Sequence, residues 1–277
     1  MDAGFPLPAR AGRLPHNWRL GTTSCIYEEP LLANVRRLAG RTEDIELILY
    51  DGEWGSNWPA LGELEELLAL SQQFGLSYTV HIPSAMGPVS CDASWEERSY
   101  ALVGRTIERL EALSPFAYVW HWESECWGKL PSMDLSRWRE AVGRLAQRVA
   151  QARWVLPRRL AVETLSYPFD LVADFVQAHD YGMTLDIGHL WQGGFDWERA
   201  VGLYGERTGV VHLHGVIPES SRDHHSLKYQ PPEQLRRLGE LLSRLDTSRP
   251  RVLTLEVFSE ADWLESEACL VQAWPSA

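Results

Sequence analysis

Six successive β-type runs of this sequence each carry, at or near their end, a residue able to bind a metal ion. The third carries His81 (TVHIP) and the fourth His121 (YVWHW). The fifth ends on Glu163 (AVET), and the sixth on Asp186, with His189 following in LDIGH. His212 and His214 fall in the seventh (VVHLHG) and Glu256 in the eighth (LTLEV), while Asp223, His224 and His225 lie in the loop after the seventh. Taken singly, each has an ordinary explanation. A histidine after a strand is commonly satisfied by one hydrogen bond, and a strand-end carboxylate commonly caps a helix or joins a salt bridge. Six strand ends in a row strain that explanation, because Glu163, Asp186 and Glu256 close apolar runs where an unpaired carboxylate is costly to bury. Gathered in one place, these acids would repel one another unless cations bridged them.

The donor types narrow the cation. Imidazole mixed with carboxylate and no thiolate suits Zn²⁺, Mn²⁺, Fe²⁺ or Co²⁺ and disfavours Ca²⁺ or Mg²⁺ alone. The candidates are His81, His121, Glu163, Asp186, His189, His212, Asp223, His225 and Glu256, with His224 an alternative to His225. That is more than one ion can use, so two or three divalent ions, zinc or manganese foremost, are expected. Such ions activate water and steady the entering and leaving oxygens in phosphoester displacement. Asp44 and Glu46, on one face of the second run, are candidates to orient a ligand histidine from behind.

A (β/α)8 barrel would bring strand ends together. Eight β-rich runs are visible: Leu20–Cys25, Asp44–Tyr50, Tyr78–Ile82, Tyr118–Trp122, Leu160–Thr164, Met183–Ile187, Val210–Gly215 and Val252–Phe258. Amphipathic stretches alternate with them, at Leu61–Phe74, Trp95–Leu113, Leu135–Arg153, Pro168–His179, Pro232–Leu245 and Ala261–Trp274. Leu235, Leu238, Leu241 and Leu242 show the helical spacing. Each strand–helix unit takes roughly 30 residues, the size of a βαβ unit. Eight parallel strands in one such chain predict an α/β fold, a single TIM barrel over 18–277 with an irregular leader over 1–17. Catalytic groups then belong at the C-terminal ends of the strands. The rival doubly wound sheet needs a glycine-rich phosphate turn after its first strand, and GTTSCIYEEP is not one.

Composition narrows the partners. The 277 residues carry a net charge of −12, with two lysines, Lys129 and Lys228. Duplex DNA demands clustered positive charge, so nucleic acid is not expected. The four cysteines, Cys25, Cys91, Cys126 and Cys269, have neither disulfide nor zinc-knuckle spacing. No apolar run suits a signal peptide or a membrane span, which points to a cytoplasmic protein without a membrane partner. Thirteen tryptophans is a high count, and Trp54, Trp58, Trp122, Trp127, Trp191 and Trp197 fall just past strand ends. Either they fill the barrel–helix interface or they wall a large, partly apolar ligand.

At these residues the chain resembles the xylose isomerase-like barrel superfamily, which includes sugar phosphate isomerases/epimerases and the endonuclease IV class. More narrowly, LGTTSCIY, TEDIELILYD, SYTVHIP, VETLSYPF, LDIGHL, VVHLHGV, DHHSL and LTLEVFS together resemble the cobamide-remodelling phosphodiesterases. Thr164 stands where that family is expected to carry Asn. The resemblance implies hydrolysis of the nucleotide-loop phosphodiester of a cobamide to cobinamide phosphate and an α-riboside. It implies Glu163 and Glu256 as catalytic carboxylates, and Trp54, Trp122, Trp191, His214 and His224 as contacts to a small-molecule corrinoid. Two other readings compete. A sugar isomerase/epimerase would use one ion and shuttle a proton with Glu163 and Glu256; a corrinoid- or metal-binding chaperone would keep the pocket without chemistry.

Overall fold

The computed structural model describes residues 14–15, 17–52, 55–83, 93–122 and 135–274. Eight parallel strands close into a barrel: β1 (Trp18–Thr23), β2 (Asp44–Ile48), β3 (Ser77–His81), β4 (Tyr118–Trp120), β5 (Leu160–Glu163), β6 (Gly182–Asp186), β7 (Thr208–Leu213) and β8 (Arg251–Leu255). Closure is between β1 and β8, in register from Trp18 opposite Arg251 to Thr22 opposite Leu255. The expected TIM barrel is therefore the observed fold. The strands begin and end within a few residues of the expected runs, and the first starts at Trp18 rather than Leu20.

Alternation along the strands sorts side chains between two environments. Tyr118 and Trp120 on β4, Leu160 and Val162 on β5, Val211 and Leu213 on β7, and Leu253 and Leu255 on β8 join the main apolar core against the helices. The intervening residues face the barrel interior. There Ala117, Val119, Ala161 and Val210 form a small apolar cluster of their own. Above it, the same inward face carries His81, Glu163, Asp186 and His212 at the strand ends.

Nine helices surround the barrel among the described residues: α1 (Leu31–Leu38), α2 (Leu61–Phe74), α3 (Ala93–Leu110), α4 (Leu135–Ala152), α5 (Ala173–Ala178), α6 (Ile187–Gln192), α7 (Trp197–Tyr204), α8 (Pro232–Leu242) and α9 (Glu260–Ala273). Their inner faces follow the 3.6-residue period, as in α4, where Trp138, Ala141, Val142, Leu145, Ala146 and Val149 are buried. Fully burying a side chain such as Val142, Leu145 or Val149 is worth about 1.5–3 kcal/mol. Ser259 caps α9 by accepting from the Asp262 N–H, and Gly75 ends α2 at φ 64°. The helix expected over Pro168–His179 is instead a 3-10 turn (Phe169–Leu171) followed by α5, because Val172 at φ −130° interrupts it.

Two short antiparallel ribbons extend the C-terminal face, Asp51–Gly52 with Gly55–Ser56 and Gly215–Ile217 with Arg222–His225. Cys25 and Cys269 are free and partly buried; Cys91 and Cys126 lie outside the described residues, as does most of the expected leader. Among the described residues no helix is long and apolar enough to cross a membrane.

Candidate metal centre

Each buried donor at the barrel mouth is set by its place on a strand end. Glu163 is the last residue of β5 and fully buried. Its two oxygens face different neighbours. Oε2 lies 2.8 Å from His121 Nε2 and 3.7 Å from His81 Nε2. Oε1 lies 3.3 Å from His212 Nδ1 and 3.6 Å from His189 Nδ1. Two donor groups therefore share one carboxylate. In the first, His81, His121 and Glu163 offer atoms within 4.8 Å of one another; in the second, Glu163, Asp186, His212 and Glu256 do so.

The imidazoles are aimed by partners behind them. His212 Nε2 donates to Glu46 Oε2 at 2.7 Å, across 166 residues of sequence. Its Nδ1 faces Glu256 Oε2 at 3.1 Å and Asp186 Oδ2 at 3.7 Å. A carboxylate holding the far nitrogen is the arrangement that orients a metal-binding histidine. His81 donates from Nδ1 to the Ile82 carbonyl at 3.1 Å, so its Nε2 lone pair points at His121 Nε2, also 3.1 Å away. Of the two acids expected to act from behind, Glu46 does so. Asp44 sits at the other end of the barrel and accepts from Ser77 Oγ.

The cluster continues outward through α6. Asp186 caps that helix, its Oδ1 accepting from the His189 N–H at 2.6 Å, while Oδ2 lies 3.3 Å from His189 Nδ1. Gly188 in this turn admits no side chain, since a Cβ there would fall 2.2 Å from the His214 ring. His189, His214 and His224 form a third group of mutually close donors. Asp223 stands at its edge, Oδ2 3.8 Å from His189 Nε2.

Between the adjacent histidines of the loop, the structure brings His224 into the cluster and leaves His225 beside Asp262, with Nδ1 3.6 Å from its Oδ2. Of the two alternatives the sequence leaves open, the placement of the side chains favours His224. His224 adopts φ 55°, an unusual conformation for a residue with a side chain, and its N–H donates to His214 Nδ1 at 3.0 Å. That backbone twist swings its ring inward.

Of the two readings offered for the tryptophans, Trp122 and Trp191 take the one of filling the barrel–helix interface. Trp122 is fully buried, its ring edge-on to Trp120 at 5.3 Å, and it has no surface to offer a corrin. Two residues beyond Trp120, it keeps the side of the chain that Tyr118 and Trp120 occupy and joins the same apolar core, while His121 between them faces the barrel mouth. Trp191 is half-buried against the core and against Trp197, ring centroids 6.4 Å apart. Trp54 and Trp127 lie outside the described residues. Phe258, exposed beside His224, closes the eighth run of the sequence, where a single phenylalanine carries no signal of binding.

Electrostatics test whether cations fit. Burial alone would raise the Glu163 carboxyl, but His121 and His212 outweigh it and hold it well below the usual range. Burial likewise opposes ionisation of Asp186, and His189 and His214 reverse it. His212 is raised well above its ordinary value and His189 to about 9, burial in each case being outweighed by the surrounding carboxylates. Burial and neighbouring His121 lower His81 to about 4. A buried set of acids this close must be offset by positive charge, on imidazolium or on bound cations. Glu163 Oε1, Asp186 Oδ2, His189 Nδ1, His212 Nδ1 and Glu256 Oε2 are buried without a hydrogen-bond partner, and such orphaned atoms are costly unless something binds them. The donors present fit divalent metal ions.

A profile of the xylose isomerase-like TIM barrel family matches residues 43–273. The chain belongs to that family. Several solved structures share this xylose isomerase-like fold. Endonuclease IV from Thermus thermophilus is 21% identical, with a TM-score of 0.61 over 92% of this chain and 97% of that one. The 3-keto-D-glucoside 4-epimerase from E. coli is 15% identical, with a TM-score of 0.64 over 92% and 98%. A D-psicose 3-epimerase from Clostridium cellulolyticum is 17% identical, with a TM-score of 0.63 over 92% and 98%. Comparison with curated proteins found no match.

Proposed function

We propose that this family member is a metal-dependent phosphodiesterase that hydrolyses the nucleotide-loop phosphodiester of a cobamide, releasing cobinamide phosphate and an α-riboside. The observation that carries the reaction class is the placement of Glu163, one oxygen toward His81 and His121, the other toward His212 and His189, in a donor group that also holds Asp186 and Glu256. A carboxylate shared between two donor groups suits a centre of more than one ion. The choice of a cobamide rests on the ordered run of sequence words from LGTTSCIY to LTLEVFS.

Two or three divalent ions, zinc or manganese, would be held by His81, His121, Glu163, Asp186, His212 and Glu256, with His189 and His224 at the outer edge. Such ions supply Lewis-acid stabilisation of a phosphoryl group and a nucleophilic water at neutral pH. The chain's own residues do the positioning. Glu46 fixes the ring of His212, the Ile82 carbonyl fixes that of His81, and the Asp186 cap fixes the start of α6. On this reading residues 18–277 act as one catalytic barrel in the cytoplasm. Its partner is a small-molecule corrinoid, with neither nucleic acid nor membrane involved.

A sugar epimerase is the second reading. It is favoured by the completeness of Glu163, Asp186, His212 and Glu256 as a one-ion set without His81 or His121. Against it, the inner oxygens of Glu163 and Glu256 both face His212 Nδ1, at 3.3 and 3.1 Å, which commits them as donors rather than bases. The test offers a cobamide and a ketose in parallel to zinc- or manganese-loaded protein, with products read by mass spectrometry. Cobinamide phosphate and α-riboside are the expected products. Epimerised sugar with intact cobamide, or undiminished cleavage by metal-stripped protein, would refute the proposal.

A further inference from the structure

A ladder of rings climbs out of the metal centre and ends in solvent. Its lowest rung, His214, is fully buried. The His224 ring lies over it, centroids 4.2 Å apart and planes 31° from parallel. Phe258 lies over His224 at 5.0 Å and 40°. The middle rung is fixed: His189 meets it edge-on at 5.3 Å, and His224 Nδ1 is 3.2 Å from the Glu256 carbonyl. The top rung is not covered. Phe258 is 46% exposed, follows two residues after Glu256 and belongs to neither apolar cluster among the described residues.

We propose that Phe258 is a stacking subsite for a planar aromatic group of the substrate. The identity of that group as the lower base of a cobamide rests on the phosphodiesterase reading above. The argument is one of continuity and rigidity. Offset and tilted ring pairs are favourable, and a ladder held from below presents its last face without further ordering cost. Stacking on an aromatic side chain tolerates different bases, because every base has a π-face. A phosphodiester held at the metal donors would leave its flanking heterocycle beside this face. A sugar without a planar group would gain far less there.

The test compares wild type with Phe258→Ala and Phe258→Trp, using 5,6-dimethylbenzimidazole and adenosine as probes in titration calorimetry, and cobamide turnover as a second readout. Since the side chain is exposed, the variants are expected to unfold at the wild-type temperature. Phe258→Ala should weaken probe binding about tenfold and raise the KM for cobamide by a similar factor with a smaller change in kcat, while Phe258→Trp restores both. Probe affinity and KM in Phe258→Ala within twofold of wild type would overturn the subsite, even if the enzyme cleaves cobamides. Probe binding that depends on Phe258 in a protein cleaving no phosphodiester would uphold the subsite and sink only the phosphodiesterase reading.

Discussion

The two ends of one barrel treat buried carboxylates in opposite ways. At the floor, Asp44 opens β2, fully buried, and burial outweighs the hydroxyls of Ser77 and Thr79 to push its carboxyl up to about 7. At the mouth, Glu163 and Asp186 are equally buried, yet their neighbouring imidazoles drive them the other way. An isolated buried acid escapes its desolvation cost by taking a proton. A cluster of acids interleaved with imidazoles keeps its charge, balanced by imidazolium or by bound cations. The floor carries a lone protonated acid and the mouth a cluster that could hold metal ions, although both are built from the same inward face of the same strands.

The largest effect that would break this contrast is at Glu163. Glu163→Ala removes the shared carboxylate, and we expect loss of metal by elemental analysis together with a fall in phosphodiester cleavage of more than about 100-fold. Retention of full metal content would mean that the two donor groups are not joined through this residue. Next comes the support behind the ligands. Glu46→Gln keeps the size of the side chain but weakens its hold on His212, and should cost about 10–100-fold in metal affinity or activity, read by titration with a chelator. The smallest effect on the metal centre lies at the floor. The folded-state pKa of Asp44 is raised from 3.8 to about 7, so folding favours the protonated form. Wild-type stability should fall as pH rises through that interval, by about 4 kcal/mol in denaturant unfolding between the two pKa values, and Asp44→Asn should abolish this component with metal content unaltered. A pH-independent difference between the two proteins would remove the contrast between floor and mouth.

Much of the centre was legible because a parallel barrel converts a one-dimensional regularity into a place. His81, His121, Glu163, Asp186, His212 and Glu256 are scattered over the chain, but each stands at or just past a strand end, and strand ends of a closed barrel converge. Irregular backbone was less legible. The choice of His224 over His225 depends on one positive φ, which no spacing rule announces. The fate of Trp122 depended on its side of the chain, which it shares with Tyr118 and Trp120 in the core against the helices. Helices α6 and α7, six and eight residues long, are too short to show a period.

The amino-acid sequence by itself determined the alternation of strand and helix and the donor chemistry at the strand ends, since both follow from residue type and local spacing. Only the tertiary structure decided which atoms converge. The Glu46–His212 hydrogen bond, the two-sided use of Glu163 and the ring ladder ending at Phe258 each join segments far apart in the chain. Contacts of that kind are set by barrel closure, strand register and single backbone dihedrals, which are properties of the packed whole rather than of any segment.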